Sequence, residues 1–348
     1  MIRFAWLQTR TQTVVTGAAA IALAVLAAIT GVHLAHLYAS MIAHCQSSCD
    51  LATSQFTSHY NFLQHALDLL SLIAPALFGL FWGAPLLARE LETGSYRLAW
   101  TQSVTRSRWL LTKLGMGALA TVTLAGLLTL TITWWYRALD KLDTNQYAVF
   151  DRRDLVPIGY ALFAFATGAL FGALLRRTVP AMVATLVLYV LARVASSIWI
   201  RPHLLSPTHA TGSLLDSDRF GFTARNGAAL TLVAKGAGPP GSWTLSSHLA
   251  TGTGQRPSSS ALSTFLQQNC PNIGLPAGNP TGRGITKAPD PDAFIACRGA
   301  AARTFHLQLS YQPASHYWPL QWLETGVFVG LALLAAAGCY WLITRRTA

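Results

Sequence analysis

Six apolar stretches, each long enough to cross a bilayer as a helix, dominate this 348-residue chain. They run from Val14 to Leu37, Leu67 to Ala88, Leu114 to Tyr136, Leu155 to Leu175, Val179 to Ile200 and Leu320 to Ile343. A hydrocarbon core about 30 Å thick takes about 20 residues of helix to cross. Inside it every backbone polar group has to be satisfied within the protein, which leaves helices or a closed barrel. The period-2 alternation of a membrane barrel is absent from these stretches. Asp68, Arg193 and Glu324 are the charges that fall within them. The expected fold is an all-α polytopic membrane protein with six transmembrane helices. Charged residues make up 11% of the chain, against about 25% in an ordinary soluble domain. That excludes a typical cytosolic enzyme, a disordered tail and a collagen-like fibre.

Six spans put both termini on one side, and the Lys/Arg distribution says which. With the termini inside, segments 1–13, 89–113, 176–178 and 344–348 hold 11 basic residues in 46 positions. The 38–66 loop holds none. The 137–154 loop holds Arg137, Lys141, Arg152 and Arg153, neutralised by Asp140, Asp143, Asp151 and Asp154. The expectation is a multi-pass protein of the cell (plasma) membrane with cytoplasmic N- and C-termini. A net charge of +12 would by itself suit a nucleic-acid binder. Nine of those twelve charges fall on the internal segments, so the basicity reads as a topology signal and nucleic acid is not an expected partner. The apolar run after Arg3 and Arg10 exceeds the roughly 7–15 residues of a signal-peptide core, so it reads as a retained span.

The spans divide the chain into a five-span region, 1–200, an external domain, 201–319, and a sixth span with its tail, 320–348. The 201–319 segment is rich in Gly, Pro, Ser and Thr, which favours turns, and it is expected to be loop-rich. Packing islands in it are Leu230–Val233, Leu262–Leu266 and the strand-like Phe305–Tyr311. Tyr317, Trp318 and Trp322 fit an interfacial aromatic belt.

Four of the five cysteines, Cys45, Cys49, Cys270 and Cys297, fall on the external side, with Cys339 inside a span. An even external set fits an oxidising compartment. All four are disulfide candidates, with three pairings open; Cys270–Cys297 is favoured because both lie in one loop. His33, His36, His44, Cys45 and Cys49 cluster near the end of the first span and raise the question of a metal. A disulfide with interfacial histidines is the preferred reading, and no metal is expected. Small-residue pairs Gly79/Gly83, Gly168/Gly172 and Gly326/Gly330 allow close helix packing, within the chain or between two chains. Arg193 lies roughly 10 Å below the outer surface at the rise of a helix, and a charge there needs a partner. Glu324 enters from the same side at similar depth and is the expected partner, with Asp68 second.

The segment 89–113, RELETGSYRLAWTQSVTRSRWLLTK, mixes charges with Leu and Trp, as a surface helix and turn that docks a cytosolic partner would. Its residues Arg89, Glu90, Glu92, Gly94, Ser95, Ser103, Val104, Thr105, Arg106 and Lys113 carry a resemblance. They are similar to the stretch after the second span in permease subunits of type-2 ABC transporters, the exporter class with six spans per half. Tyr311-Gln312-Pro313 through Tyr317-Trp318 and Glu324-Thr325-Gly326 resemble a branch of such permeases from high-GC bacteria. The 21 Arg against 4 Lys agree with that source.

The resemblance implies an ATP-driven exporter in which 89–113, including Arg97 and Arg108, couples to a separate ABC ATP-binding subunit. No G-x-x-x-x-G-K-[ST] phosphate loop occurs in the chain. ATP and Mg are therefore expected on the partner, with no cofactor bound by this chain, and the chain itself is expected not to be an enzyme. A second permease chain, alike or different, would complete the pathway. The alternative is a membrane receptor or assembly protein that binds ligand through 201–319. A membrane enzyme is disfavoured, since His-Glu-x-x-His and paired intramembrane carboxylates are missing.

Overall fold

The computed structural model describes residues 2–41, 49–94, 105–137, 140, 145–216, 219–223, 231–236, 238–270 and 291–346. Two compact units emerge: residues 1–204 with 317–348, and residues 205–316.

The described residues of the first unit are mostly helical. Its long helices are α1 (Ile2–Met41), α2 (Cys49–Leu77), α3 (Ala84–Thr93), α4 (Arg106–Tyr136), α5 (Val156–Leu175), α6 (Thr178–Ala195) and, after the inserted unit, α9 (Tyr317–Arg346). Among the described residues six candidate spans result, because α2 and α3 form one span. They join through a π-helical turn, Phe78–Gly83, which follows Pro75 in α2. Proline removes a hydrogen bond of the α-ladder, and the wider turn absorbs the irregularity. A second π turn, Ser196–Ile200, extends α6 into a last helical turn, Arg201–His203.

Several helices run past the apolar stretches: α1 begins at Ile2 rather than Val14, and α2 at Cys49 rather than Leu67. Their polar ends continue the backbone ladder into the interface, where hydropathy does not report them.

Helix α5 is the centre of the unit: 67% of its span is buried, against 18–39% for the others. Glycine explains how α2 and α3 reach it. A Cβ on Gly168 would lie 2.5 Å from the Gly79 carbonyl oxygen, and one on Gly83 would lie 2.4 Å from that of Phe165. Gly172 is similarly 2.6 Å from the Ala84 oxygen. Without a hydrophobic drive between helices in lipid, such backbone-to-backbone contact is a main source of cohesion. Two of the three small-residue pairs are therefore used within the chain. Gly326 and Gly330 meet nothing within 4 Å.

The second unit holds a three-stranded antiparallel sheet in the order β1–β5–β4, built from β1 (Thr208–Gly212), β4 (Trp243–Thr251) and β5 (Phe305–Gln312). Strands β2 (Arg219–Thr223) and β3 (Thr231–Lys235) pair separately. Helices α7 (Ser259–Asn269) and α8 (Pro291–Thr304) complete it. The Ser258 hydroxyl caps α7 by accepting from the Ala261 N–H at 3.1 Å. Leu214, Leu262, Phe265, Phe305, Leu307 and Leu309 form its core. Turn-forming composition thus separates real strands and helices, and all three packing islands contribute to them. The Cys270–Cys297 disulfide is formed and lies in this core, while Cys339 is free and buried within α9.

Candidate functional site

Two polar assemblies occupy opposite ends of the helical unit, whose α4 runs between them. The first is built on α3 and the start of α4. Helix α3 ends at Gly94, whose φ of 72° is the left-handed cap a glycine adopts without steric cost. Glu90 on α3 forms an ion pair with Lys113 on α4, with side chains 14% and 8% exposed. The Lys113 ammonium also lies 4.9 Å over the Trp109 ring. Glu92 reaches a third helix: its carboxylate accepts from the Thr178 N–H at 3.3 Å and from the Thr178 hydroxyl at 3.0 Å. This satisfies a free N–H at the start of α6 and places an acid at the positive end of its dipole. Arg89 and Arg108 remain exposed, and Arg106 is half-buried. Arg97 lies outside the described residues. So Glu90, Glu92 and Lys113 fasten this element to the bundle, while Arg89 and Arg108 face outward from it.

The second assembly is one that sequence reasoning missed. The segment 145–155, between α4 and α5, fastens itself to four helices through the successive residues Asp151-Arg152-Arg153-Asp154. Arg152 pairs with Asp68 on α2 at 2.6 Å, and the Ser71 hydroxyl donates to the Arg152 carbonyl. Arg153 donates to Asp140 at 2.7 Å. Asp154, at φ 64°, accepts from the hydroxyls of Tyr317 on α9 and Thr133 on α4. Gln321 on α9 caps α5: its Oε1 accepts from the Leu155 and Val156 N–H groups at 3.2 and 3.0 Å, and its Nε2 donates to the Phe150 carbonyl at 2.8 Å. Tyr147 and Phe150 stack and meet Tyr317 edge-on.

Asp151 leads to a further set of buried charges, Arg193, Arg201 and Glu324. Arg193 Nη2 donates to Asp151 Oδ2 at 2.6 Å, and the guanidinium lies 4.3 Å over the Tyr160 ring. The Tyr160 hydroxyl donates to Glu324, as does the Ser196 hydroxyl at 2.6 Å. Arg201 grips Glu324 with Nε at 2.8 Å and Nη2 at 3.1 Å, a bidentate fork. Glu324 is fully buried.

The expected Arg193–Glu324 pair is therefore replaced by Arg193–Asp151 and Arg201–Glu324, and Asp68 serves Arg152. The physical reason is that the helix does not stop at Ile200. The π turn carries Arg201 back to the bundle, and the 145–154 part of the neutral loop packs onto the helix ends through its side chains. The signal available in the sequence was the alternation of Asp-Arg-Arg-Asp immediately before an apolar span.

Burial pushes the Asp151 carboxyl up, but the Arg193 and Arg201 charges and the Arg193 hydrogen bond outweigh it and hold it below the usual value. For Arg153 burial favours the neutral form, and the Asp140 hydrogen bond and charge raise its pKa overall.

Among the described residues no three or more His, Cys, Asp or Glu side chains are grouped to hold a metal. His33 and His36 are exposed on α1; His44, Cys45 and the side chain of Cys49 lie outside the described residues. In the second unit, a pocket of 520 Å³ lies on the polar face of the sheet, between His209, His248, Gln308 and Ser310.

Compared with known proteins, residues 17–201 match the family model described as "ABC-2 membrane transporter related". No curated protein matches the chain, and no solved structure does. The matched region takes in five spans, the 145–155 segment and Arg201.

Proposed function

Because the chain belongs to the ABC-2 membrane transporter related family, we propose that it is the permease subunit of an ATP-driven exporter, coupled to a separate ATP-binding subunit. The observation that carries this reading is the construction of the α3–α4 end. A loop that only oriented the protein would need positive charge and nothing more. Here Glu90–Lys113 ties α3 to α4, and Glu92 ties α3 to α6. A push on this element is thereby transmitted to three helices that pack on α5. Exposed Arg89 and Arg108 offer charge to an acidic or dipolar docking surface.

In this reading the α3–α4 end is cytoplasmic, with both termini, and the 145–155 end and the 205–316 unit are external, where a disulfide persists. A second permease chain completes the pathway in the plasma membrane. ATP and Mg bind the partner, whose closure shifts the permease pair between inward- and outward-facing states. Coupling requires contacts that differ between the states.

Co-purification from the native membrane tests this. A phosphate-loop ATPase is expected in the complex, and Arg89→Glu with Arg108→Glu is expected to weaken its association while the permease stays folded. An intact complex that holds no ATPase, or one indifferent to the double charge reversal, would refute the proposal.

A further inference from the structure

Two arginines and two acids surround one phenol at the ends of α5, α6 and α9. Tyr160 is the spacer between them. Arg193 lies over its ring, while its hydroxyl bonds to Glu324 and accepts from Arg201 Nη2 at 3.3 Å. A single ring width thus separates Arg193 from the acid that Arg201 holds. The partners also differ in how easily they can be lost. The Asp151 side chain is 25% exposed, whereas that of Glu324 is 0% exposed. Water can take over Asp151 but not Glu324. Asp151 comes from a segment between helices. That segment's other ion pairs to residues outside it, Arg152–Asp68 and Arg153–Asp140, each have one member open to water, Arg152 at 36% and Asp140 at 39% exposed.

With Asp151 in place the Arg193 side chain is 10% exposed, and a charge held that deep without its acid is strongly disfavoured. Glu324 has two oxygens and can bridge two guanidinium groups. Between Arg193 and Arg201 lies the π turn Ser196–Ile200. Such a turn holds one residue more than an α turn, so shifting it along the helix rotates the residues beyond it. The helix therefore contains the adjustment that the rearrangement needs.

We propose that residues 145–155 are a strap and that Asp151–Arg193 is its releasable contact: when the strap lifts, Arg193 crosses Tyr160 to join Glu324. The ends of α5, α6 and α9 then have two charge-satisfied arrangements, strapped and unstrapped, instead of one. This goes beyond the family assignment, because it concerns a switch within this chain and holds whether or not an ATPase is found.

The test uses the full chain in lipid nanodiscs and the variant Asp151→Asn. In hydrogen exchange, amides of 145–155 should exchange about tenfold faster than in the wild type. Amides of 189–203 should keep their protection, because Arg193 has found Glu324. If 189–203 loses protection along with the strap, the contact is a plain staple and the proposal fails. It fails equally if the strap does not respond. A double-mutant cycle gives a second reading. Coupling between Arg193→Gln and Glu324→Gln in thermal unfolding should grow when Asp151 is replaced by Asn, and coupling unchanged by that replacement would overturn the exchange.

Discussion

Replacing Gly168 by Ala adds a single methyl, yet it should separate two helices. In the structure the new Cβ would sit 2.5 Å from the Gly79 oxygen, 2.8 Å from the Ala84 nitrogen and 3.0 Å from the Gly83 carbonyl carbon. All three are backbone atoms, so no side chain can rotate away. Restoring ordinary contact moves α5 from span 2 by about 1 Å, and gaps of that size forfeit about a quarter to a half of each lost contact. Overpacking of this kind costs about 1–3 kcal/mol. Helix propensity acts the other way, favouring Ala over Gly by about 1 kcal/mol, so the net loss at Gly168 should be about 1 kcal/mol and at most about 2 kcal/mol. The same arithmetic changes sign at Gly326 and Gly330, where nothing lies within 4 Å and only the propensity gain remains. Thermal unfolding of the detergent-solubilised chain should therefore fall for Gly168→Ala and Gly83→Ala, and hold or rise for Gly326→Ala and Gly330→Ala. Loss of stability at all four positions, or at none, would refute the packing argument.

The other predictions rest on charge and covalent closure. Glu324→Leu should cost about 3–5 kcal/mol by stranding Arg201, and Arg201→Met in addition should recover most of it; additive losses in unfolding experiments would contradict the buried pair. Asp151 has a depressed pKa, so its contribution is present above the unfolded value of about 4 and is lost as pH falls through the folded value. The stability difference between wild type and Asp151→Asn should accordingly be constant above about pH 5 and shrink below about pH 4, as urea titrations at several pH values would show. Reducing Cys270–Cys297, which are 27 residues apart, should remove about 3–4 kcal/mol from the 205–316 unit. Protease susceptibility should rise there and not in the spans.

The spans were legible because hydropathy adds over some twenty residues and needs no partner. So were Gly79, Gly83, Gly168 and Gly172, whose spacing allows close approach, although Gly326 and Gly330 share that spacing and meet no neighbouring helix of the chain. Pairing was not legible. Depth along a helix placed Arg193 and Glu324 at one level, but depth says nothing of azimuth or of what a loop brings in. Charge counting hid Asp151-Arg152-Arg153-Asp154, whose net charge is zero, although each of the four binds a different partner. Cutting the fifth span at Ile200 placed Arg201 in the following loop, whereas the π turn returns it to Glu324. Within 89–113, likewise, composition alone suggests one docking surface. The fold divides its charges into Glu90, Glu92 and Lys113, which hold the helices together, and Arg89 and Arg108, which face away.

Transport driven through the α3–α4 end is the central claim, and ATP turnover of the native complex tests it most directly. With the wild-type chain, a co-purified phosphate-loop ATPase should hydrolyse ATP. With Arg89→Glu and Arg108→Glu, its turnover at equal permease concentration should fall about tenfold, the change expected for about 1.4 kcal/mol of lost docking. Turnover that is unchanged by those substitutions, or an intact complex without an ATPase, would contradict it.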